Sequence, residues 1–363
     1  MLSLKPYIRC LIFGLALVIS TNANAGLYGF SETGEQFSAK HLSVPPRHIS
    51  NYRKEMRDLI VALAQYGKSR NPNFQVLVHE GQYLLDKSLW EYHLDAYNKI
   101  RRTQKNVQDI SFLKKDVSEL EEQKHLSLTY TDIIDGIVVN SLYCQKRSHE
   151  SLDKSNLPIV SIEHCPDEKS IDDAITSSFL EKRLIYPFID PQYAFRHIYH
   201  QLIINETADG ILTTKQAKNI SFLIDDEKFS NPYQMLDEIR QSNYDIVVIH
   251  PVFHNTIPFS KEDVHAMKFK KNGARRLIFA LYNVSELSEK NYLWQKKWSQ
   301  TLPNWLVAKS LVSENSYIAQ YWRPEWKKIV SHYFKSIVDS GYDGVFLTGL
   351  ENHEYFEHNK PLE

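Results

Sequence analysis

The sequence has no excess of basic residues, since 43 lysines and arginines are balanced by 44 aspartates and glutamates, for a formal net charge of −1. Proteins that bind nucleic acid through its phosphates usually carry a basic surplus, so this balance argues against a nucleic-acid partner. The glycine fingerprint of a dinucleotide-binding fold is also missing, because no apolar run leads into G-x-G-x-x-G. No heptad repeat persists, which excludes a coiled coil.

Long hydrophobic runs are scarce as well. An apolar run at 10–20 is too short to favour a membrane span. It follows Lys5 and Arg9 and precedes the small residues at 23–25, which is the order of a secretory signal peptide. We therefore expect residues 1–25 to be removed on export to the periplasm or the extracellular space. An uncleaved anchor is the alternative, and we expect no other contact with a membrane.

Cysteine is also rare, with three residues in the chain, one of which, Cys10, belongs to the predicted signal. Cys144 and Cys165 each close an apolar run, at 137–144 and 158–165, and these runs are predicted to be consecutive parallel strands. In an exported protein two such cysteines suggest one disulfide. Two ordinary buried thiols are the other interpretation.

From about residue 50 the sequence alternates between amphipathic helices and short, almost wholly apolar strands. Such strands are typical of a parallel sheet covered on both faces, and about eight units predict a closed (β/α)8 barrel of the TIM type. An open, doubly wound sheet is the alternative. Amphipathic helices with solvent-exposed polar faces are expected at 90–123. The predicted strands are 74–78, 137–144, 158–165, 184–189, 220–224, 244–249, 276–282, 305–309 (the weakest) and 343–347.

Several motifs in the second half carry a family resemblance. The segments 244–249 (YDIVVI), 280–286 (ALYNVSE), 322–326 (WRPEW) and 341–347 (GYDGVFL) occur in this order. They resemble the first five strands of the endo-α-1,4-polygalactosaminidase barrels, glycoside hydrolase family 114 and its bacterial relatives. The resemblance implies an α/β barrel that acts on a galactosamine-type polysaccharide.

Pieces of the first half resemble the later strands of the same family, notably 56–85, 134–139 and 158–165. We therefore expect a circularly permuted barrel, which the neighbouring positions of the first and last strands permit. A rival interpretation makes the first half a separate domain. The predicted divisions are a signal peptide at 1–25, an extension at 26–50, a single barrel at 51–357 and a tail at 358–363, with 51–190 similar to the family's later strands and 220–357 to its first strands.

Hydrolysis of a glycosidic bond usually needs two carboxyl groups, and in α/β barrels these lie at the carboxyl ends of strands. The resemblance matches Glu286 to an acidic position of the family. Other matched positions differ here, among them Ser288 and Asn291, which replace an acid and an arginine. His250 and Thr348 replace aspartates, Asn140 replaces a glutamate, and Glu80 replaces an asparagine. A site with these substitutions is compatible with a protein that binds saccharides without cleaving them, or with a hydrolase whose catalytic acids lie at other positions.

The acids that follow predicted strands are the catalytic candidates: Glu286, Glu80, Glu163 and Asp226. We expect Glu286 to pair with Glu80, because carboxylates in one cleft can divide into acid and base roles. For each acid the alternative is a solvated loop residue or a helix cap. Asp135 and Asp343, by contrast, precede their strands and are expected to accept backbone hydrogen bonds there.

Polar and aromatic residues near the same strand ends are the substrate-binding candidates, because aromatic rings pair with the apolar faces of sugars. Core packing is the alternative for the tryptophans. The candidates are His250, Tyr282, Asn140, Thr348, Trp294 and Trp322.

Histidines give a further hypothesis, since His79, His164 and His250 also follow predicted strands and two of them adjoin a glutamate. A metal-dependent hydrolase is therefore an alternative, although no H-x-H or H-x-x-x-H spacing supports it. We expect no metal and no other cofactor. The sequence as a whole predicts an exported glycoside hydrolase-like protein acting on an amino-sugar polysaccharide, with a catalytically inactive saccharide-binding protein as the main alternative.

Overall fold

The structure is a computed structural model that describes residues 50–88, 91–92, 94–95, 128–147, 150–188, 195–201, 203–310, 313 and 315–359. Its strands within these residues, in chain order, are β1 (Gln75–His79), β2 (Gly136–Asn140), β3 (Ile159–Glu163), β4 (Leu184–Pro187), β5 (Ile220–Leu223), β6 (Ile246–Ile249), β7 (Val252–Phe253), β8 (Ile257–Pro258), β9 (Leu277–Asn283), β10 (Glu286–Ser288), β11 (Leu306–Lys309), β12 (Ser316–Ala319) and β13 (Gly344–Thr348).

Eight of these strands form one parallel sheet in the order β4-β3-β2-β1-β13-β9-β6-β5. The sheet curls into a nearly closed barrel, which confirms the predicted (β/α)8 architecture. The first and last barrel strands of the described chain are neighbours within the sheet and meet at a seam, since Leu77 of β1 lies opposite Phe346 of β13 in parallel register, while the two edge strands of the sheet are β4 and β5. The circular permutation remains a prediction.

One predicted strand is wrongly placed. The segment at 305–309 is a strand, but β11 pairs antiparallel with β12, which pairs antiparallel with β10 in a separate three-stranded sheet. Its side chains are only partly buried, whereas each barrel strand is buried along nearly its whole length. Apolar content alone does not show which sheet a short strand joins.

The helices of the described residues flank the barrel strands. They are α1 (Tyr52–Arg70), α2 (Leu128–Ile133), α3 (Glu150–Lys154), α4 (Glu168–Leu180), α5 (Pro232–Arg240), α6 (Lys261–Met267), α7 (Pro324–Asp339) and α8 (Asn352–Asn359). In α7, Pro324 occupies the first turn, where its missing N–H costs nothing, and Gly341 follows the helix with a φ of 83°. None of the described helices is both long and apolar enough to cross a membrane. The helices predicted at 90–123 lie almost wholly outside the described residues.

The barrel strands separate two apolar layers, because successive side chains of a strand point to opposite faces. Leu77, Val138, Phe222, Phe279 and Phe346 are among the residues that fill the barrel interior. The alternate residues of the same strands pack outward against the helices. This alternation decides which side chains at the carboxyl ends of the strands face the open end of the barrel, which we call the mouth.

At the opposite end of the barrel, two aspartates fasten neighbouring strands. Asp135 Oδ2 accepts a hydrogen bond from Val76 N at 2.8 Å, and Asp343 Oδ2 accepts one from Ile278 N at 3.0 Å. Each carboxylate also contacts a lysine, Lys68 for Asp135 and Lys268 for Asp343. The predicted structural role of these two aspartates is confirmed.

The two cysteines follow neighbouring strands, since β2 and β3 pair in parallel. Cys144 lies in the turn after β2 rather than within the strand, and Cys165 lies beyond the end of β3. Their Cα atoms are 5.3 Å apart and their sulfurs are bonded in a disulfide. The bond ties the two loops together at the carboxyl end of the barrel.

Candidate active site at the carboxyl end of the barrel

Five polar side chains point into the mouth of the barrel. Each lies two positions after a residue of the interior layer and therefore shares its direction. They are His79 on β1, Asn140 on β2, His250 after β6, Asn283 on β9 and Thr348 on β13. The sequence-predicted residues His250, Asn140 and Thr348 thus face one another across the same opening.

Glu286 lies above this layer, but it does not end a barrel strand as expected. It begins β10, three residues after the end of β9. Three side chains direct hydrogen-bond donors at its carboxylate: Ser310 Oγ at 2.9 Å, Asn352 Nδ2 at 3.1 Å and Asn283 Nδ2 at 3.4 Å. Such donors fix the carboxylate and stabilise its negative charge.

The loops that carry the hydrogen-bond partners of Glu286 pack closely because residue 349 is a glycine. Gly349 has a φ of 81°, and a Cβ atom there would lie 2.3 Å from Asn283 Oδ1 and 2.6 Å from Ser285 Oγ. Ser285 Oγ donates to Gly349 O at 2.5 Å and accepts from Asn352 Nδ2 at 2.7 Å. The absence of a side chain at 349 therefore lets the loops after β9 and β13 pack directly against each other.

Glu80, the expected partner of Glu286, joins β1 to β2. Its backbone is in the left-handed region, with a φ of 53°. Its Oε1 accepts from Asn140 N at 2.8 Å and its Oε2 accepts from Gln82 Nε2 at 2.6 Å. Both carboxylate oxygens are thus engaged by the protein.

A third carboxylate, which the sequence interpretation missed, is Glu351 in the turn after β13. Burial raises the pKa of Glu351, and the negative charges of Glu286 and Glu80 raise it further, while His79 opposes the shift. Its Oε2 atom is buried and has no hydrogen-bond partner among the described residues. Glu351 lies three residues after the strand-end residue Thr348, so a search through the whole turn would have found it.

Two more buried polar atoms of this region lack a partner within the described part of the chain, His79 Nε2 and Gln82 Oε1. The ring of His79 lies 5.7 Å from that of Phe346, measured between centroids. Buried polar atoms are rarely left unpaired in proteins without a functional reason. The charge of His79 acts on Glu351, so the unpaired atoms of these two residues lie on the same side of the mouth.

Glu163 is not part of this mouth. The interior residues of β3 are Val160 and Ile162, so Glu163 points to the other face of the strand. It is fully buried, and its carboxylate accepts from Tyr143 N and Cys144 N, both at 3.0 Å, and from Ser161 Oγ. The prediction that Glu163 lines the cleft is wrong, because its oxygens hold the disulfide-bearing loop after β2.

Asp226 lies after β5, two strands away from β9 in the sheet. Its Oδ2 accepts from His254 N at 2.7 Å, in the hairpin that follows β6. It also lies near enough to His250 for its charge to oppose the lowered pKa of that histidine, which burial causes.

Two of the predicted sugar-binding aromatic residues face elsewhere. The side chain of Tyr282 points outward from β9 and is only 6% exposed, and its hydroxyl donates to Val330 O at 3.1 Å. Trp294 stacks on Tyr317, with ring centroids 5.4 Å apart. Because Tyr317 lies opposite Leu287 in the small sheet, this pair is on the face away from Glu286. The predictions that Tyr282 and Trp294 face the cleft are therefore wrong.

Trp322 is half-buried where the two ends of the described chain meet. Its ring lies 4.9 Å from that of Tyr52 and 4.6 Å from that of Phe356. These contacts give Trp322 a packing role at the seam.

The three histidines proposed as metal ligands do not belong to a group with the spacing of a metal site among the described residues. His164 stacks on Phe188 with centroids 4.0 Å apart, and burial lowers its pKa. Nδ1 of His250 lies 2.8 Å from Val252 O. Over the described residues, the one group with the spacing of a metal site is Cys144, Glu163 and Cys165. Its sulfurs are bonded to each other, so it offers no thiolate.

Comparison with known proteins gives uncharacterized relatives. No family model matches the chain. It is 29% identical over 163 residues to an uncharacterized protein of Methanocaldococcus jannaschii, which covers 43% of this chain and 46% of that protein. It is 24% identical over 125 residues to an uncharacterized protein of Thermotoga maritima, covering 33% and 36% respectively. The chain thus spans less than half the length of each of these relatives.

Among solved structures, the chain is similar to the glycoside hydrolase domain of PelA from Pseudomonas aeruginosa. The likeness covers 38% of this chain and 50% of that one, at 20% identity and a TM-score of 0.27. A likeness of this extent leaves membership of the polygalactosaminidase family a prediction.

Proposed function

We propose that this protein is an exported glycoside hydrolase-like barrel that cleaves an amino-sugar polysaccharide by acid–base catalysis with two carboxyl groups. One observation carries the proposal. At the carboxyl end of the barrel, Asn352 donates to Glu286 Oε1 at 3.1 Å and adjoins a second acid, Glu351, whose pKa the charges of Glu286 and Glu80 raise. Active sites of (β/α)8 enzymes occupy this end, and glycosidases use paired carboxyl groups with different environments.

The environment of Glu286 suits the carboxylate that acts as nucleophile or base. Its three neutral hydrogen-bond donors, from Ser310, Asn352 and Asn283, hold the carboxylate in one direction. The proton donor is then one of the other two acids of the mouth, Glu80 or Glu351. A separation of about 5–5.5 Å between the two carboxyl groups would predict retention at the anomeric carbon, and about 6.5–9.5 Å would predict inversion.

The class of substrate follows from charge and from the family resemblance. The acidic side chains Glu80 and Glu286 at the mouth complement a polymer that carries ammonium groups, as a deacetylated galactosamine polymer does. Export is supported by the signal-like segment at 1–25 and by the disulfide between Cys144 and Cys165, a bond that persists mainly in oxidising compartments.

The test is an assay of the purified chain from residue 26 onward on a panel of acetylated and deacetylated galactosamine polymers. Glu286→Gln should lower the rate of bond cleavage by about 100- to 10,000-fold. Glu289→Gln is the matched control, since Glu289 accepts from Tyr317 Oη on the other face of the small sheet. Cleavage by Glu286→Gln at the wild-type rate would refute the assignment.

A saccharide-binding protein is the second candidate. The observation that favours it is that Asn140 and Thr348, two side chains of the mouth, occupy positions that are acidic in the resembled family. Binding of the polymer by both wild type and Glu286→Gln, with no cleavage by either, would select this function.

A further inference from the structure

Glu80 and Glu351 differ in how the protein occupies their carboxylate oxygens. Both oxygens of Glu80 accept hydrogen bonds, from Asn140 N and from Gln82 Nε2. Oε2 of Glu351 is buried and accepts none from any described residue. A buried carboxyl oxygen without a hydrogen bond favours the protonated form of the group, which is the form that a proton donor needs.

We propose that Glu351, rather than Glu80, is the proton donor of the glycosidic cleavage, and that Glu80 shapes the mouth by bridging β1 and β2. This inference rests on the proposed function. The connection between the two catalytic carboxyl groups is short. Asn352, the residue after Glu351, donates from Nδ2 to Glu286 Oε1 at 3.1 Å and to Ser285 Oγ at 2.7 Å. The backbone that carries the acid is thereby fastened to the carboxylate with which it works.

Charged groups from every side of Glu351 bear on its protonation. Glu80 follows β1, Glu286 begins β10, and His79 ends β1. Burial and the two carboxylates raise the pKa of Glu351, which keeps its proton bound to a higher pH than an exposed glutamate would. His79 acts in the opposite direction and lowers the pKa of Glu351.

The chemical step balances with water as the co-reactant. The bond from the anomeric carbon to the glycosidic oxygen breaks, its electron pair stays on the oxygen, and that oxygen takes the proton of Glu351. Glu286 either bonds to the anomeric carbon or removes a proton from the water that attacks it. In the first case water later displaces Glu286 and returns a proton to Glu351; in the second, proton exchange with solvent restores both groups.

The experiment compares Glu351→Gln with Glu80→Gln on two substrates, a deacetylated galactosamine polymer and a dinitrophenyl galactosaminide. The dinitrophenolate leaves without protonation, so the loss of the proton donor should affect it little. For Glu351→Gln we expect polymer cleavage to fall by about 100- to 10,000-fold and the aryl substrate to keep most of its rate. The alkaline limb of the kcat/KM profile should disappear in this variant and persist in Glu80→Gln.

Several results would overturn the inference. If Glu351→Gln cleaves the polymer at the wild-type rate, Glu351 is not the proton donor. If Glu80→Gln instead cleaves the polymer slowly and keeps its rate on the aryl substrate, Glu80 is the donor. In either case an inactive Glu286→Gln would leave the proposed hydrolase function intact. Absence of cleavage by the wild type would remove both proposals.

A second measurement does not depend on activity. A carbon NMR titration of the Glu351 carboxyl should give a pKa above that of an exposed glutamate in the wild type, and a lower pKa in Glu286→Gln, because one negative charge is gone. An ordinary pKa, or one that Glu286→Gln leaves unchanged, would contradict the proposed donor.

Discussion

Arg53, near the start of the described chain, donates from Nε to Oε1 of Glu357, near its end, at 3.0 Å. The two residues are 304 positions apart and both side chains are at most 10% exposed. Arg53 also donates from Nη1 to Tyr83 O at 3.1 Å, just beyond β1. The pair therefore joins α1 to α8 over the seam between β1 and β13.

Removal of Arg53 should destabilise this seam strongly. In Arg53→Ala the carboxylate of Glu357 would stay buried without its cation, which typically costs about 3–5 kcal/mol in the free energy of unfolding. Lys54→Ala is the matched control, because Lys54 pairs with Asp58 at the exposed surface of the same helix. Urea denaturation of both variants measures the difference, and equal effects would show that the seam does not depend on the buried pair.

The buried side chain of His353 should make the folded protein less stable in acid. Burial, followed by the charge of Arg53, lowers the pKa of His353 from 6.5 to about 3. Because the folded pKa lies below the unfolded one, the folded state favours the neutral ring. Its contribution to stability is complete above 6.5 and falls by about 1.4 kcal/mol per pH unit as the pH drops toward 3.

The check is urea denaturation of wild type and His353→Gln at about pH 7 and about pH 5. The advantage of the wild type should shrink at the lower pH, because glutamine does not titrate there. Parallel loss of stability in both proteins would show that another group is responsible.

Gly349→Ala should damage both stability and activity. The added Cβ would meet Asn283 Oδ1 and Ser285 Oγ, which support Glu286, and the positive φ adds backbone strain of about 1 kcal/mol. Gly273→Ala isolates the strain, since Gly273 has a φ of 86° with open space around it. We expect the variants to differ in melting temperature and in polymer cleavage, and indistinguishable variants would contradict the close packing inferred at 349.

The disulfide between Cys144 and Cys165 should stabilise the oxidised protein by about 3 kcal/mol, because it closes a loop across 21 positions. Denaturation of the wild type with and without reductant measures this, and the double variant Cys144→Ser with Cys165→Ser controls for other effects of the reductant. If the wild type and the double variant respond alike to reductant, the bond does not form in solution.

The barrel strands could be predicted from sequence because a run such as 244–249 or 343–347 is apolar on both faces, as a covered parallel strand must be. Because both faces of such a strand are apolar, the sequence does not show which side chains point into the barrel and which point outward. Nothing in the run 276–282 shows that Tyr282 points outward, and nothing in 158–165 shows that Glu163 does. The segment at 305–309 was predicted as a strand but joins a different sheet.

The candidate site was predicted in part. Glu286 and Glu80 came from strand ends and family resemblance, and the structure brings both near Glu351. Glu351 itself acquires its environment from the seam, where His79 and Glu80 of the first strand meet the turn after the last one. That proximity depends on contacts between distant parts of the chain, which a local pattern around 351 does not contain.

A crystal structure of Glu286→Gln with a short deacetylated galactosamine oligomer would show whether the mouth of the barrel holds the bond to be cleaved. We expect one glycosidic oxygen within hydrogen-bonding distance of Glu351 and the adjoining anomeric carbon facing residue 286. An oligomer bound away from the carboxyl ends of the strands, with the mouth free of sugar, would contradict this placement.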